Sequence, residues 1–235
     1  MLLRLLMAQA AGGGGDPYWA NVVSLLNFPG ADGSTSIIDA KGKAWTAYGN
    51  AQIDTSLGYN TCQFDGAGDY IQSADHADFE FGAGDFCIEQ VVRMTAVAGA
   101  VHGLWEKRGT GFSAGDLIVF VNNGELWVYC YDVDSAGNLI LQTTGTPITD
   151  GVIFHWALYR SGSTFRLALN GSIVASTTSS ATLTDASTPI TIGMDNVGGG
   201  RFWLNGRILA SRVTKGVSRY GGSNFTPPSA PFPES

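Results

Sequence analysis

Apolar and polar residues alternate with a period of two through much of this chain, and most cleanly in FHWALYRSGSTFRLALNGSIVAST, residues 154–177. Phe165, Leu167 and Leu169 fall on one side of the run and Thr164, Arg166 and Asn170 on the other, the pattern of a strand with one buried face. Two turns bound that strand, Arg160-Ser161-Gly162-Ser163 and Asn170-Gly171. Asn-Gly suits a two-residue hairpin because both central residues must take φ > 0. A sheet with one apolar face needs a second layer to cover it. The remainder of the chain is predicted to supply that layer.

The same reading places strands along the whole chain. Residues 21–28 (NVVSLLNF) form an apolar strand closed by Pro29-Gly30. Short strands follow around Ile37, Trp45 and Ile53, then at residues 61–64 and 70–73 on either side of the turn Asp65-Gly66-Ala67-Gly68-Asp69. Residues 75–79 fit one helical turn, and residues 85–94 (DFCIEQVVRM) one long strand. A meander over 101–144 contains a second Asn-Gly turn at Asn123-Gly124, and further strands are expected at 189–193 and 201–213. After Trp19 no stretch shows a convincing helical period over ten residues. Many short strands joined by glycine and asparagine turns predict an all-β sandwich or barrel. The last nine residues hold four of the eight prolines, so this tail should lie over a sheet rather than within one.

Composition narrows the function classes. The chain has 235 residues, 44% hydrophobic and 14% charged, enough to bury a sizeable core in one domain. Its net charge of -7 argues against nucleic-acid binding, which needs a basic footprint. Cys62, Cys87 and Cys130 form no Cys-x-x-Cys pair and read as buried free thiols rather than disulfides or zinc ligands. The first ten residues, MLLRLLMAQA, invite comparison with a signal peptide, but Arg4 interrupts a run that is already short. Crossing a bilayer as a helix takes ~20 apolar residues, so no membrane span is expected there. Residues 1–19 read instead as an arm, with Gly12 to Gly15 as its flexible link, and residues 20–235 as the sandwich with its proline-rich tail.

Four segments together resemble a known family: VVSLLNFPGADGSTSIID (22–39), CQFDGAGDYIQSADHADFEFGAGDFCIEQVVR (62–93), FHWALYRSGSTFRLALNGSIV (154–174) and FWLNGRILASRVTKGVSRYGGSNFTPPSAPFP (202–233). They are similar to the concanavalin A-like jelly roll of laminin-G-type domains in bacteriophage virion proteins. The most specific part is Arg212-Val213-Thr214-Lys215-Gly216-Val217-Ser218-Arg219-Tyr220 followed by Phe225-Thr226-Pro227-Pro228. The resemblance implies two antiparallel sheets of six or seven strands each, with the first strand beside the last. It does not imply an activity, since one fold hosts many functions.

Candidate chemistry is sparse. Asp65, Asp69, Asp75, Asp78, Glu80 and Asp85 form the densest acidic run, and Asp65 and Asp69 are its metal candidates. No Asp-x-Asp-x-Asp-Gly loop is present, so the two aspartates read as turn-formers, and neither metal nor cofactor is expected. Glycan hydrolysis requires two facing carboxylates. Glu89 has no acid at i+2 or i+4, unlike the Glu-x-Asp-x-Glu strand of related glucanases, and reads as a paired strand residue. None of His76, His102 and His155 has a nearby serine or cysteine in a nucleophile elbow. Among the aromatics Trp105, Trp127, Tyr129, Tyr131, Trp156 and Tyr159, most are expected in the core. At least part of the row of Trp127, Tyr129 and Tyr131 is expected there too. Trp127, Tyr131 and Asp132 are nevertheless the candidates for ligand contact. Arg201, Arg207, Arg212, Lys215 and Arg219 form an acid-free basic group, read either as a dock for an acidic neighbour or as a solvent face.

The leading reading is a non-enzymatic structural, decoration or adhesion protein of a phage virion. Its arm residues Leu2, Leu3, Leu5, Leu6 and Met7 would dock on neighbouring virion proteins or on another copy in a homo-oligomer. The alternative is a lectin-like domain that binds host-surface glycan, and a third is a glycan hydrolase.

Overall fold

Alternating side chains and tight turns produce a series of antiparallel strands. The structure, a computed structural model, describes residues 15–108, 115–131, 138–180, 182–185, 187–196 and 201–235. In chain order the strands are β1 (Val22–Leu26), β2 (Ser36–Ile38), β3 (Ala44–Tyr48), β4 (Gln52–Asp54), β5 (Thr61–Asp65) and β6 (Tyr70–Ser73). Then come β7 (Phe86–Met94), β8 (Val101–Lys107), β9 (Leu117–Asn122), β10 (Glu125–Cys130), β11 (Leu139–Gln142) and β12 (Ile153–Ser161). The last are β13 (Thr164–Leu169), β14 (Ser172–Thr178), β15 (Ile190–Ile192), β16 (Met194–Asp195), β17 (Phe202–Trp203) and β18 (Asn205–Lys215). The expected helical turn is a 3₁₀ turn at Ala77–Phe79, capped by the His76 side chain, which accepts from Asp78 N.

The first sheet runs β14-β13-β12-β7-β18-β5-β4, with β1 also paired to β18. The second runs β11-β10-β9-β8-β15-β6-β3-β2. Each has eight strands rather than six or seven, because short strands such as β2 and β4 extend the edges. The first strand does lie beside the last, with Leu25 opposite Arg212. Both Asn-Gly turns take the geometry that their sequence demands. Asn170 and Gly171 have φ of 49° and 78°, and Asn123 and Gly124 have 48° and 82°.

One core fills the space between the sheets. Phe165, Leu167 and Leu169 enter it as the alternation predicts, with Phe86, Ile88 and Val92 from β7 and Leu126 and Val128 from β10. Gln90 also points inward and joins the layers: its Nε2 donates to Leu104 O at 3.3 Å, and its Oε1 accepts from Trp156 Nε1 at 3.2 Å. All three cysteines are buried and free.

The tail covers the outer face of the first sheet. Phe232 is 1% exposed against Val22, Leu25, Val91 and Leu209. Asn27 grips its backbone twice, at 2.9 Å from N and 2.9 Å from O. Phe225 stacks on Tyr220 with centroids 3.6 Å apart. A side chain at Gly171 would run into Phe225 O, so the tail's close approach requires glycine there.

Candidate functional site

The second sheet carries the most unusual surface. On β10, Leu126, Val128 and Cys130 point into the core, which turns Trp127, Tyr129 and then Tyr131 to the outer face. Phe120 joins them from β9, directly opposite Trp127. The row is therefore not core, contrary to expectation: its four rings are half-buried on the outside. Centroids are 6.1 Å apart for Phe120 and Trp127, 6.2 Å for Trp127 and Tyr129, and 5.5 Å for Tyr129 and Tyr131, and these neighbours are near-parallel, at 14°, 17° and 24°. The indole N–H of Trp127 is buried without a hydrogen-bond partner among the described residues.

A small ribbon of β16 and β17 lies across β8 beside this row. Gly103 makes the crossing possible, because any side chain there would meet the backbone of Met194 and Asp195. The ring nitrogens of His102 lie 3.0 Å from Trp203 O and 3.1 Å from Ala96 O, close to the ribbon's end. Between row and ribbon is a cleft of about 240 Å³ lined by Val101, Arg108, Ile118, Tyr129, Asp195 and Phe202, with Phe120 and Tyr131 at its aromatic wall. Its polar pair is Arg108 and Asp195, joined Nη1 to Oδ1 at 3.0 Å. The Arg108 guanidinium also lies 6.0 Å from the Tyr131 ring centre.

Beneath the ribbon Glu106 is 2% exposed, and its Oε2 accepts from Asn196 N at 3.1 Å. Burial, reinforced by Asp195 and Asp116, pushes its carboxyl up to about 8, against the pull of that hydrogen bond and of Arg108. Burial likewise raises Asp195, although Arg108 opposes the shift. Sequence reasoning missed Arg108, Asp195 and Glu106. The available signal was an acid, Glu106, directly after Leu104 and Trp105 within a strand.

On the ribbon's other flank Trp203 meets Tyr70, which stacks on Tyr48, and Arg201 lies 5.7 Å from the Trp203 ring. A second cleft of about 270 Å³ opens among Val97, Asn123, Thr146 and Asp150 at one end of the sandwich. There Asn123 and Asp150 each already hold a backbone N–H, of Gly99 and Val97 respectively.

Of the candidates from sequence, Trp127 and Tyr131 share the aromatic row, while Asp132 and the arm residues Leu2, Leu3, Leu5, Leu6 and Met7 lie outside the described residues. Asp69 is a turn-former: its carboxylate accepts from Asn50 N through Oδ1 and from Asp65 N through Oδ2. Asp65 accepts from Ala67 N at 2.8 Å. Elsewhere in the acidic run, Lys107 pairs with Asp75 and Lys43 with Asp78. Trp105 and Trp156 are core, and Tyr159 is covered by Tyr220 and Phe225.

Glu89 is a paired strand residue, with a fuller set of partners than a strand pairing alone would give. It is fully buried on the outer face of the first sheet. Arg212 Nε and His155 Nε2 stand 2.8 Å and 2.9 Å from its oxygens, and Tyr220 donates to Oε2 at 2.6 Å. Burial alone would raise this carboxyl, but Arg212, the His155 hydrogen bond and Arg219 outweigh it and hold Glu89 well below the usual range. The basic group is thus neither one docking edge nor one solvent face. Arg212 and Arg219 both bind Asp16, and Arg207 binds Asp54.

No curated protein sequence matches the chain. A laminin G family model, described as the concanavalin A-like lectin/glucanases superfamily, matches residues 65–217. Among solved structures, the binding domain of Paraclostridial Mosquitocidal Protein 1 superposes with a TM-score of 0.64 at 16% identity, over 86% of this chain and 50% of that one. The binding domain of botulinum neurotoxin DC, solved in complex with rat synaptotagmin II, gives 0.61 at 9% identity, over 85% and 49%. The botulinum neurotoxin serotype G binding domain gives 0.62 at 12%, over 84% and 49%. The chain spans about half the length of these structures, and at such identities the likeness is one of fold. The family match and two facing antiparallel sheets lead to one conclusion: the chain belongs to the laminin G-type family of the concanavalin A-like lectin/glucanases superfamily.

Proposed function

We propose that the chain is a carbohydrate-binding recognition module whose ligand lies along the outer face of the second sheet. The observation that carries this reading is the half-buried row of Phe120, Trp127, Tyr129 and Tyr131 leading to the Arg108–Asp195 pair. Sugar rings present C–H faces to aromatic side chains and hydroxyls to polar groups at their edges. The row supplies the first, and Asp195 supplies the second. Sites of this kind combine apolar walls with a few placed polar groups. The solved structures of similar fold named above are binding domains, which agrees with a recognition role.

The test is retention of the purified chain on an oligosaccharide panel, with Trp127→Ala and Tyr129→Ala beside it. The reading expects at least one glycan to be held by the parent and lost by both variants, with circular dichroism unchanged. It also expects no reducing ends to be released. Loss of no glycan in either variant would move the site elsewhere.

A second reading places the module on a phage particle, held by an arm that includes Leu2, Leu3, Leu5, Leu6 and Met7. The favouring observation is the clamp on Asp16, whose carboxylate is held by Arg212 at 2.8 Å and by Arg219 at 2.6 Å. Its backbone N–H also bonds Glu234 O at 3.2 Å. The chain therefore enters the sandwich at a buried, multiply bonded post, as a tether would require. A chain lacking residues 1–14 retains that post. It should fold with nearly unchanged stability yet fail to join the particle or oligomer. Normal incorporation would end this reading.

A further inference from the structure

The cleft's charge balance narrows the ligand class. Arg108 is the cation among the described residues that line the cleft: its side chain is 1% exposed and its Nη1 bonds Asp195 Oδ1 at 3.0 Å. Asp195, 7% exposed at the side chain, lines the cleft and gives one oxygen, Oδ1, to that bond. A carboxylate has about four lone-pair sites, so Asp195 keeps acceptor capacity that a sugar hydroxyl can use. A further acid, Asp116, stands within electrostatic reach of the site and is 1% exposed. An acidic ligand would have to sit beside Asp195 and Asp116, with Arg108 buried and already bonded to Asp195. That brings like charges together in a dry setting, which is unfavourable. An uncharged polyol meets no such obstacle.

We propose that the cleft takes an uncharged saccharide residue and turns away carboxylated or sulfated ones, with Asp195 rather than Arg108 as the polar group that meets the hydroxyls. This rests on the reading of the outer face as a carbohydrate site. Tyr129 and Tyr131 form the wall against which the ring lies, and Phe202 closes the opposite side from the ribbon. Glu106 acts from below as a positioning residue. Its hydrogen bond to Asn196 N holds the end of β16, the strand that carries Asp195. Burial pushes the Glu106 carboxyl up to about 8, which limits the negative charge under the cleft.

The experiment is binding of the full chain to two immobilised sets: neutral cello-, laminari-, manno- and lacto-series oligosaccharides, and acidic sialyllactose, oligogalacturonate and heparin. The expected result is retention of a neutral glycan, at least tenfold weaker for Asp195→Asn, and none of the acidic set. Wild-type affinity should change less than twofold when the salt is raised from about 0.05 M to about 0.5 M, because no ligand charge is screened. That measurement keeps the proposal testable if Asp195→Asn fails to fold. Retention of an acidic glycan that weakens several-fold with salt would overturn the proposal and leave the carbohydrate reading standing. Retention of no glycan from either set would overturn both.

Discussion

The guanidinium of Arg212 lies between Glu89 and the ring of Phe232: its Nε donates to Glu89 Oε1 at 2.8 Å, and its centre lies 4.4 Å from the ring centroid. The tail and the last strand thus seal a fully buried carboxylate whose other oxygen is taken by His155 and Tyr220. Removing one member of such a network leaves an uncompensated charge, which costs roughly 3–5 kcal/mol. Glu89→Gln is expected to lower unfolding stability by about that amount, measured by urea denaturation. A change below about 1 kcal/mol would mean the network is far weaker than its geometry.

Phe232 tests the tail by itself. At 1% exposure it fills a pocket of aliphatic side chains, and truncation of such a ring costs roughly 3–5 kcal/mol. Phe232→Ala should destabilise the chain on that scale and speed proteolysis of the tail. Glycan binding on the opposite sheet should be unchanged in the fraction that remains folded.

Glu106 and Glu89 set opposite limits on the pH range. The folded carboxyl of Glu106 is raised from 4.5 to about 8, so the unfolded chain releases this proton first. Stability from Glu106 is therefore full below about pH 4.5 and lost as the pH rises through 8, at up to about 1.4 kcal/mol per unit. Glu89 is lowered, so its contribution is present above its unfolded value and lost as the pH falls. Thermal melts between pH 5 and pH 9 should decline for the parent up to about pH 8 and then level off, and Glu106→Gln should flatten that decline. A parent curve that rises across this interval would contradict the assignment.

Asp69 accepts a backbone N–H at each carboxylate oxygen. Chelation of divalent ions should therefore leave the melting temperature within about 1 °C. Replacement of this acid, 1% exposed and central to the turn, should lower it by several degrees, in line with ~1–3 kcal/mol for orphaned buried donors. A large loss on chelation, restored by calcium, would make Asp65 and Asp69 ligands.

The local layout was legible in the chain. Strand 164–169, the two Asn-Gly hairpins and the overlying proline tail follow from period-two alternation and from φ preferences, which act within a few residues. Which face of β10 is buried was not legible. Leu126, Val128 and Cys130 alternate with Trp127, Tyr129 and Tyr131, and since both rows are apolar, periodicity cannot say which one turns inward. Charge partners were equally hidden. Glu89 and Arg212 are 123 residues apart, and Arg108 and Asp195 are 87 apart. Short-range patterns therefore determined that this chain makes an all-β sandwich or barrel of antiparallel strands. Only the packing of distant strands decided which aromatics face outward and which carboxyls are pushed up or held down, because burial and pairing across the fold set both.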